Sequence, residues 1–173
     1  MNKMKEIRIE KLTLNMGIGE SGDKLKKASK LLSATSGKKP VLTKSYKRIP
    51  TWGVRPGLEI GTKVTLRGGN AEKMIKRLFK AVENKLKPGA FDKQGNFSFG
   101  IKEYIDIPEL EYDPEIGIVG MEVAVTLERP GYRVKKRKYQ RSKLGRNHII
   151  TRDESIDYIQ SKYSGDTISL TFD

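Results

Sequence analysis

Three groups of residues could carry chemistry. The first is Gly17-x-Gly19-x-x-Gly22, which has the spacing of a dinucleotide-binding turn. That use needs a second parallel strand ending in an acid about 20 residues on, to hold a ribose. The chain there reads Val41-Leu42-Thr43-Lys44-Ser45, and no acid stands between Asp23 and Glu59. The turn is therefore read as one that lets backbone approach another surface. The second group holds the acid–base candidates. His148 is the only histidine and lies within a basic run, so it is expected to face solvent or a bound polyanion. Glu103, Asp106, Glu109, Glu111, Asp113 and Glu115 crowd one stretch, which reads as a solvated face or one turned to a basic neighbour. Paired carboxylates for catalysis, or a metal site, are the weaker readings of that run. There is no cysteine, which removes disulfides, thiol nucleophiles and thiolate zinc sites. No catalytic residue, metal ligand, cofactor or small-molecule substrate is assigned.

The third group is cationic. Lys38, Lys39, Lys44, Lys47, Arg48 and Arg55 are interleaved with Tyr46 and Trp52, with no acid between 38 and 55. Lysine and arginine neutralise phosphates and release counterions, and aromatic faces stack on unpaired bases. Further on, Arg133, Lys135, Lys136, Arg137, Lys138, Arg141, Lys143 and Arg146 follow one another without an acid. The whole chain of 173 residues carries 35 Lys+Arg against 21 Asp+Glu, a formal charge of +14. Such an excess repels itself unless an anion covers it, and nucleic acid is the commonest cover. No apolar run is long enough to span a bilayer, and the opening residues lead into an alternating pattern and not a signal segment. The expectation is a cytoplasmic RNA-binding protein without a membrane partner.

The elements that must position these groups follow from periodicity. Ile7 and Ile9, then Leu12, Leu14 and Met16 on a shifted phase, predict a strand with a bulge near Lys11. Asp23 is expected to cap a helix with Leu25, Ala28, Leu31 and Leu32 on one face, closed by Gly37. Pro40–Thr43 predicts a short strand, and 61–67 a strand returning from the long loop 44–60. Asn70 is expected to cap a second helix bearing Met74, Ile75, Leu78, Phe79 and Val82, ended by Lys87-Pro88-Gly89. Strands are expected at 96–101, continuing toward Ile107, and at 117–127. Thr151-x-x-Glu154 has capping-box spacing and predicts a short helix to about Tyr163, with Ile156, Ile159 and Tyr163 inward. The predicted fold is α+β, a two-layer sandwich. Its mostly antiparallel sheet carries helices on one face, with a long inter-strand loop and a basic C-terminal extension. Residues 1–130 form the expected RNA-binding domain, and 131–173 the basic extension with its short helix.

Four stretches resemble, in this order, a known family: Leu14-Asn15-Met16-Gly17-Ile18-Gly19-Glu20, Val64-Thr65-Leu66-Arg67-Gly68, Gly95-Asn96-Phe97-Ser98-Phe99-Gly100-Ile101 and Ile118-Val119-Gly120-Met121. They look like the universal large-subunit ribosomal protein L five family, over residues 6–128. The basic extension is similar to the archaeal and eukaryotic type. The resemblance implies a structural ribosomal protein and not an enzyme. It implies 5S ribosomal RNA held at the central protuberance by the sheet side and first turn, beside a neighbouring 5S-binding protein. It also implies a long loop reaching large-subunit RNA and P-site transfer RNA, and a bridge to a protein of the small-subunit head. Residue by residue, it places Asn15, Gly17, Gly19, Lys38, Trp52, Thr65 and Arg67 on 5S RNA, with Lys38 where bacterial members have glutamine. It places Lys44, Tyr46, Lys47, Arg48 and Arg55 on the loop contacts. The alternative from the residues alone is a free-standing regulator of translation that binds structured RNA.

Overall fold

In the computed structural model, residues 2–114 and 116–163 and the backbone of 169–170 are described. Glu115, one of the acids of the 103–115 run, lies outside the described residues. A five-stranded antiparallel sheet has β1 (Arg8–Gly17) at its centre. β1 is flanked by β3 (Glu59–Leu66) and β6 (Met121–Glu128). β2 (Val41–Lys44) and β5 (Phe97–Ile101) form the two edges.

The alternation in β1 works as read. Ile9, Leu12, Leu14 and Met16 are buried although Ile9 and Leu12 are three apart. The pairing with β6 slips between Ile9 and Lys11. The extra residue, Glu10, re-phases the alternation so both apolar sets point to one side. Val64 and Leu66 of β3, and Met121, Val123, Val125 and Leu127 of β6, complete that face.

Two helices cover it. α1 (Asp23–Ser36) packs on β3 through Leu25, Ala28, Leu31 and Leu32, and Gly37 closes it at φ 64°, as its position predicts. Asp23, expected as the cap, is instead the first helical residue. Gly22 precedes it without a side-chain cap, and the Asp23 carboxylate pairs with Lys26 at 3.2 Å. An acid in the first turn still complements the helix dipole. α2 (Gly69–Ala81) buries Met74, Ile75, Leu78 and Phe79 and packs on β1. Asn70 is likewise inside the helix, and the backbone carbonyl of Gly68 accepts from Ala71 and Glu72.

Three boundaries differ from the periodic reading. α2 stops at Ala81, before Lys87, because Glu83 and Asn84 adopt φ of 53° and 56°, and the Asn84 N–H closes onto the Phe79 carbonyl at 2.8 Å. β5 ends at Ile101 and does not run toward Ile107. A 3-10 turn at Tyr104–Asp106 follows, held by the buried Tyr104 hydroxyl, which accepts from the Asp113 N–H at 2.8 Å. β6 starts at Met121, not at 117, since the Val119 carbonyl accepts from Tyr104 N–H outside the ladder.

After β6 the chain folds back onto the same core. Tyr132, Ile150, Ile159 and Tyr163 belong to the buried cluster. A one-turn α3 (Arg133–Lys136) leads into an irregular run. α4 (Arg152–Tyr163) then opens on the capping box: Glu154 accepts from the Thr151 N–H at 2.9 Å, and Thr151 Oγ1 accepts from the Glu154 N–H at 3.4 Å. Tyr163 meets Phe79 edge-on at 5.3 Å between ring centroids, and Phe79 stacks near Phe97 and Phe99. Ile156 is only half-buried. Short β4 (Lys85–Leu86) pairs in parallel with β7 (Ser169–Leu170).

Candidate nucleic-acid interface

Among the described residues, no helix covers the opposite side of the sheet. Its outward row pairs Lys63 with Asn15, Asn15 with Glu122, and Glu122 with Gly100. The next row pairs Thr65 with Thr13, Thr13 with Ala124, and Ala124 with Ser98. Lys63, Thr65, Glu122, Ala124, Ser98 and Gly100 are exposed, and Asn15 and Thr13 are half-exposed. Short side chains make this face low and flat, so another backbone can approach it closely. Hydroxyls and an amide supply neutral donors and acceptors suited to a 2′-OH or a base edge.

Asn15 is not free to rotate. Its Nδ2 donates to Glu122 Oε2 at 3.0 Å, which turns the amide oxygen away from that carboxylate. Glu122 was not among the residues singled out from the sequence. Alternation in β6 places it outward, but only the strand register sets it opposite Asn15, 107 positions away.

The glycine turn and the long loop leave one end of this sheet together. Gly17 of β1 faces Gly61 of β3, and Lys44 of β2 faces Glu59. The N–H groups of Ile18 and Gly19 both donate to the Ile60 carbonyl, at 3.0 and 2.9 Å. A Cβ on Gly61 would lie 2.7 Å from Thr43 Oγ1 and 3.0 Å from the Met16 carbonyl oxygen, so glycine is required there. The loop continues the β2–β3 hairpin: Ser45 and Leu58 share a backbone hydrogen bond, and Ile49 bridges Val54. Val54 is buried and anchors the tip, whereas Trp52 is 74% and Tyr46 95% exposed. Both rings therefore face solvent and not the core. Lys38, Lys47, Arg48 and Arg55 have no acidic partner among the described residues, while Lys44 reaches Glu59 at 3.7 Å.

The other end of the sheet carries the basic extension. Here the cations divide into two sets. Lys136 binds Glu10 at 2.6 Å and Glu128 at 3.2 Å; Arg67 reaches Glu10 at 3.4 Å, and Arg8 binds Glu128 at 2.7 Å. Burial pushes the Glu10 carboxyl up, but Lys136 and Arg67 outweigh it and hold the group below the usual carboxylate range. The same carboxylates hold the Lys136 ammonium above its ordinary value against the opposing effect of burial. The network staples the extension to the bulge of β1. Arg133, Lys135, Lys138, Arg141, Lys143 and Arg146 are exposed and have no acidic partner among the described residues, and Arg137 donates to the Gln140 carbonyl at 2.8 Å. Arg67 and Lys136 thus have intramolecular work, which their place in basic sequence did not reveal.

Nothing in this surface assembles a catalytic centre among the described residues. His148 is half-buried and not solvent-facing as read: its Nε2 lies 2.9 Å from the Pro130 carbonyl, and its ring sits edge-on to Tyr132. Asp113 pairs with Lys30, and Glu109 with Arg77. No group of three or more potential metal ligands occurs among the described residues, and no described helix is long and apolar enough to cross a membrane.

Comparison with known proteins agrees with this architecture. Residues 2–55 match the family model described as ribosomal protein L5, and residues 59–158 match the model that describes the C-terminus of the same ribosomal family. The chain is 53% identical to the large ribosomal subunit protein uL5 of Nanoarchaeum equitans, over 92% of this chain and 94% of that protein. It is 46% identical to the uL5 of Methanococcus maripaludis (strain C5), over 95% and 93%, and 48% identical to that of Methanococcus aeolicus, over 92% and 90%. With family models spanning both halves and relatives alike over nearly their whole lengths, this chain belongs to the ribosomal protein L5 family.

Proposed function

We propose that this protein, a structural component of the large ribosomal subunit, docks 5S ribosomal RNA through the open face of its sheet. Asn15 and Thr65 read the RNA there, and the glycine turn at Gly17 and Gly19 lets its backbone come close. Lys38 and Trp52 flank the contact, with Arg67 at the far end. The loop with Lys44, Tyr46, Lys47, Arg48 and Arg55 reaches large-subunit RNA and P-site transfer RNA. The free cations of the extension hold neighbouring phosphates. A second 5S-binding protein and a protein of the small-subunit head complete its surroundings at the central protuberance.

One observation carries the reading: a flat sheet face of mostly short polar side chains, uncovered among the described residues, lies between two cationic ends. Phosphate contacts position an RNA without reading it, while short polar groups on a flat face discriminate. The division of labour is testable. Binding to 5S RNA is compared with binding to an unrelated structured RNA of equal length across a salt series. The preference for 5S RNA should persist as salt rises, while the affinity common to both falls steeply. Asn15→Ala with Thr65→Ala removes one or two hydrogen bonds per side chain, about 0.5–1.5 kcal/mol each. The preference should then drop by roughly ten-fold or more. Equal, steeply salt-dependent binding of both RNAs by the unaltered protein would overturn the reading.

A further inference from the structure

The basic extension does more than add charge: where it folds over the end of the sheet it walls a half-open cavity of about 670 Å³. That is within the roughly 300–1,000 Å³ of small-molecule sites. Its apolar lining comes from Leu127, Tyr132, Leu144 and Ile149, and its rim carries Lys135, Lys136, Arg141 and Lys143. The rim is not neutralised from within. Glu10 also lines the cavity, but it is already bound to Lys136 and Arg67. Lys135, Arg141 and Lys143 have no acidic partner among the described residues.

The polar groups of the lining fall into fixed and open ones. Asn96 is tied down, its Nδ2 donating to Asp92 and its Oδ1 accepting from the Leu127 N–H. Tyr132 is held by its hydroxyl, which accepts from the Ile150 N–H at 3.0 Å and donates to the His148 carbonyl at 3.3 Å. The Gln94 amide and Thr126 hydroxyl, by contrast, engage no other side chain among the described residues. An apolar floor, two open hydrogen-bonding groups and three free cations at the mouth match one ligand chemistry: a planar heterocycle carrying a phosphate.

We propose that this cavity receives one extruded nucleotide of the bound RNA, its base inside and its phosphate on Lys135, Arg141 and Lys143. The proposal rests on the RNA-binding reading above and adds a specific pocket to a segment that otherwise offers charge alone. An acidic protein segment would satisfy the rim but would leave the apolar floor unused by its carboxylates.

The test uses the full chain carrying Tyr46→Ala, Trp52→Ala, Tyr112→Ala and Tyr139→Ala, so that exposed rings do not contribute stacking. Binding of a fluorescent single-stranded RNA hexamer is compared with that of an abasic hexamer of equal phosphate number. The base-bearing oligomer should bind about ten-fold more tightly, the scale of one well-seated base. Thr126→Trp, which fills the cavity, should abolish that difference and leave the salt dependence unchanged. Leu144→Asp, on the half-buried wall of an irregular segment, should do the same without a bulky insertion in the sheet. Equal binding of the two hexamers before the cavity is altered would overturn the pocket while leaving the RNA reading intact. Failure of the protein with its rings intact to bind either hexamer would overturn both. In assembled large subunits, a photoreactive side chain at position 144 should attach to a nucleotide; attachment to a neighbouring protein would overturn the proposal.

Discussion

Replacing Glu154 with alanine would remove two supports of the C-terminal segment at once. One carboxylate oxygen accepts from the Thr151 N–H at 2.9 Å and completes the capping box of α4. The other accepts from Arg129 Nη2 at 2.8 Å. The Arg129 side chain is 4% exposed, and its remaining acceptors, the His148 and Ile149 carbonyls, lie at 3.4 Å. Loss of a cap costs about 1 kcal/mol. Leaving a buried guanidinium without its counter-ion costs about 3–5 kcal/mol in a dry site. Water reaches Glu154, whose side chain is 44% exposed, so the ionic share falls to roughly 2 kcal/mol. The expected total is about 3 kcal/mol, read as a fall in the urea midpoint of roughly 1–2 M at the usual slopes. Glu154→Gln, which keeps a neutral acceptor, should cost about 2 kcal/mol and so isolate the charge.

The pH dependence has a definite sign. The Thr151 backbone N–H, with Arg129 adding to it, holds the Glu154 carboxyl below the usual range against the opposing effect of burial. A depressed carboxyl contributes stability that is present above its unfolded value near 4.5 and lost as pH falls through the folded value. The difference between the unaltered protein and Glu154→Gln should therefore be full at pH 7 and shrink below about pH 4.5. A cost under about 1 kcal/mol for Glu154→Ala at pH 7, or a pH-independent Glu154→Gln difference, would refute the clasp.

Three further outcomes follow from the geometry. Glu122→Ala removes a carboxylate from the open sheet face and frees the Asn15 amide, so, on the proposed function, low-salt affinity for any RNA should rise while the preference for 5S RNA narrows by roughly three- to ten-fold; parallel titrations with the two RNAs read both effects. Lys47→Ala with Arg48→Ala should lower the slope of log affinity against log salt for a large-subunit RNA fragment by roughly 1.5–2, one phosphate contact per side chain. Gly95→Ala should cost about 2–4 kcal/mol in urea unfolding, because the residue sits at φ +77° and its Cβ would lie 2.5 Å from Ile150 Cγ2.

How far the sequence disclosed this depends on the range of the interaction. Alternation over Leu12, Leu14 and Met16 gave the inward face of β1, and the odd spacing from Ile9 gave the bulge, because both are properties of one strand. Gly37 and the Thr151–Glu154 box were equally local. Asp23 and Asn70 misled as caps because a glycine upstream, Gly22 at φ 134° and Gly68 at φ 62°, takes the cap position and lets the helix begin one or two residues earlier. The end of α2 was hidden in Glu83 and Asn84, whose left-handed backbone no pattern of apolar residues announces. Of the cationic residues, the sequence shows how many there are but not which face an acid across the sheet. Arg67 and Lys136 look like their neighbours until the bulge brings Glu10 between them.

That last point bears on what the basic segment is for. Nine cations without an acid between 129 and 146 suggest a loose polyelectrolyte arm. The structure divides them by task. Arg129 is buried under α4, and Lys136 is bound to two carboxylates. Arg137 holds a turn through the Gln140 carbonyl, and the remaining six face outward. Tyr132 and His148 then tie the two ends of the segment together through the Pro130 and His148 carbonyls. A loose arm loses conformational entropy when it meets RNA, at about 1–2 kcal/mol per residue ordered. A segment already clasped at Arg129, Lys136, Tyr132 and His148 avoids much of that cost, and its six outward cations are held as a shaped surface before any polyanion arrives. Pre-ordering, and not the number of charges, is what distinguishes this extension from a polybasic tail of equal composition, and it follows that scrambling residues 129–148 at constant composition, which breaks all four clasps, should weaken RNA binding without changing its net charge. Equal affinity of the scrambled protein would mean that charge alone suffices.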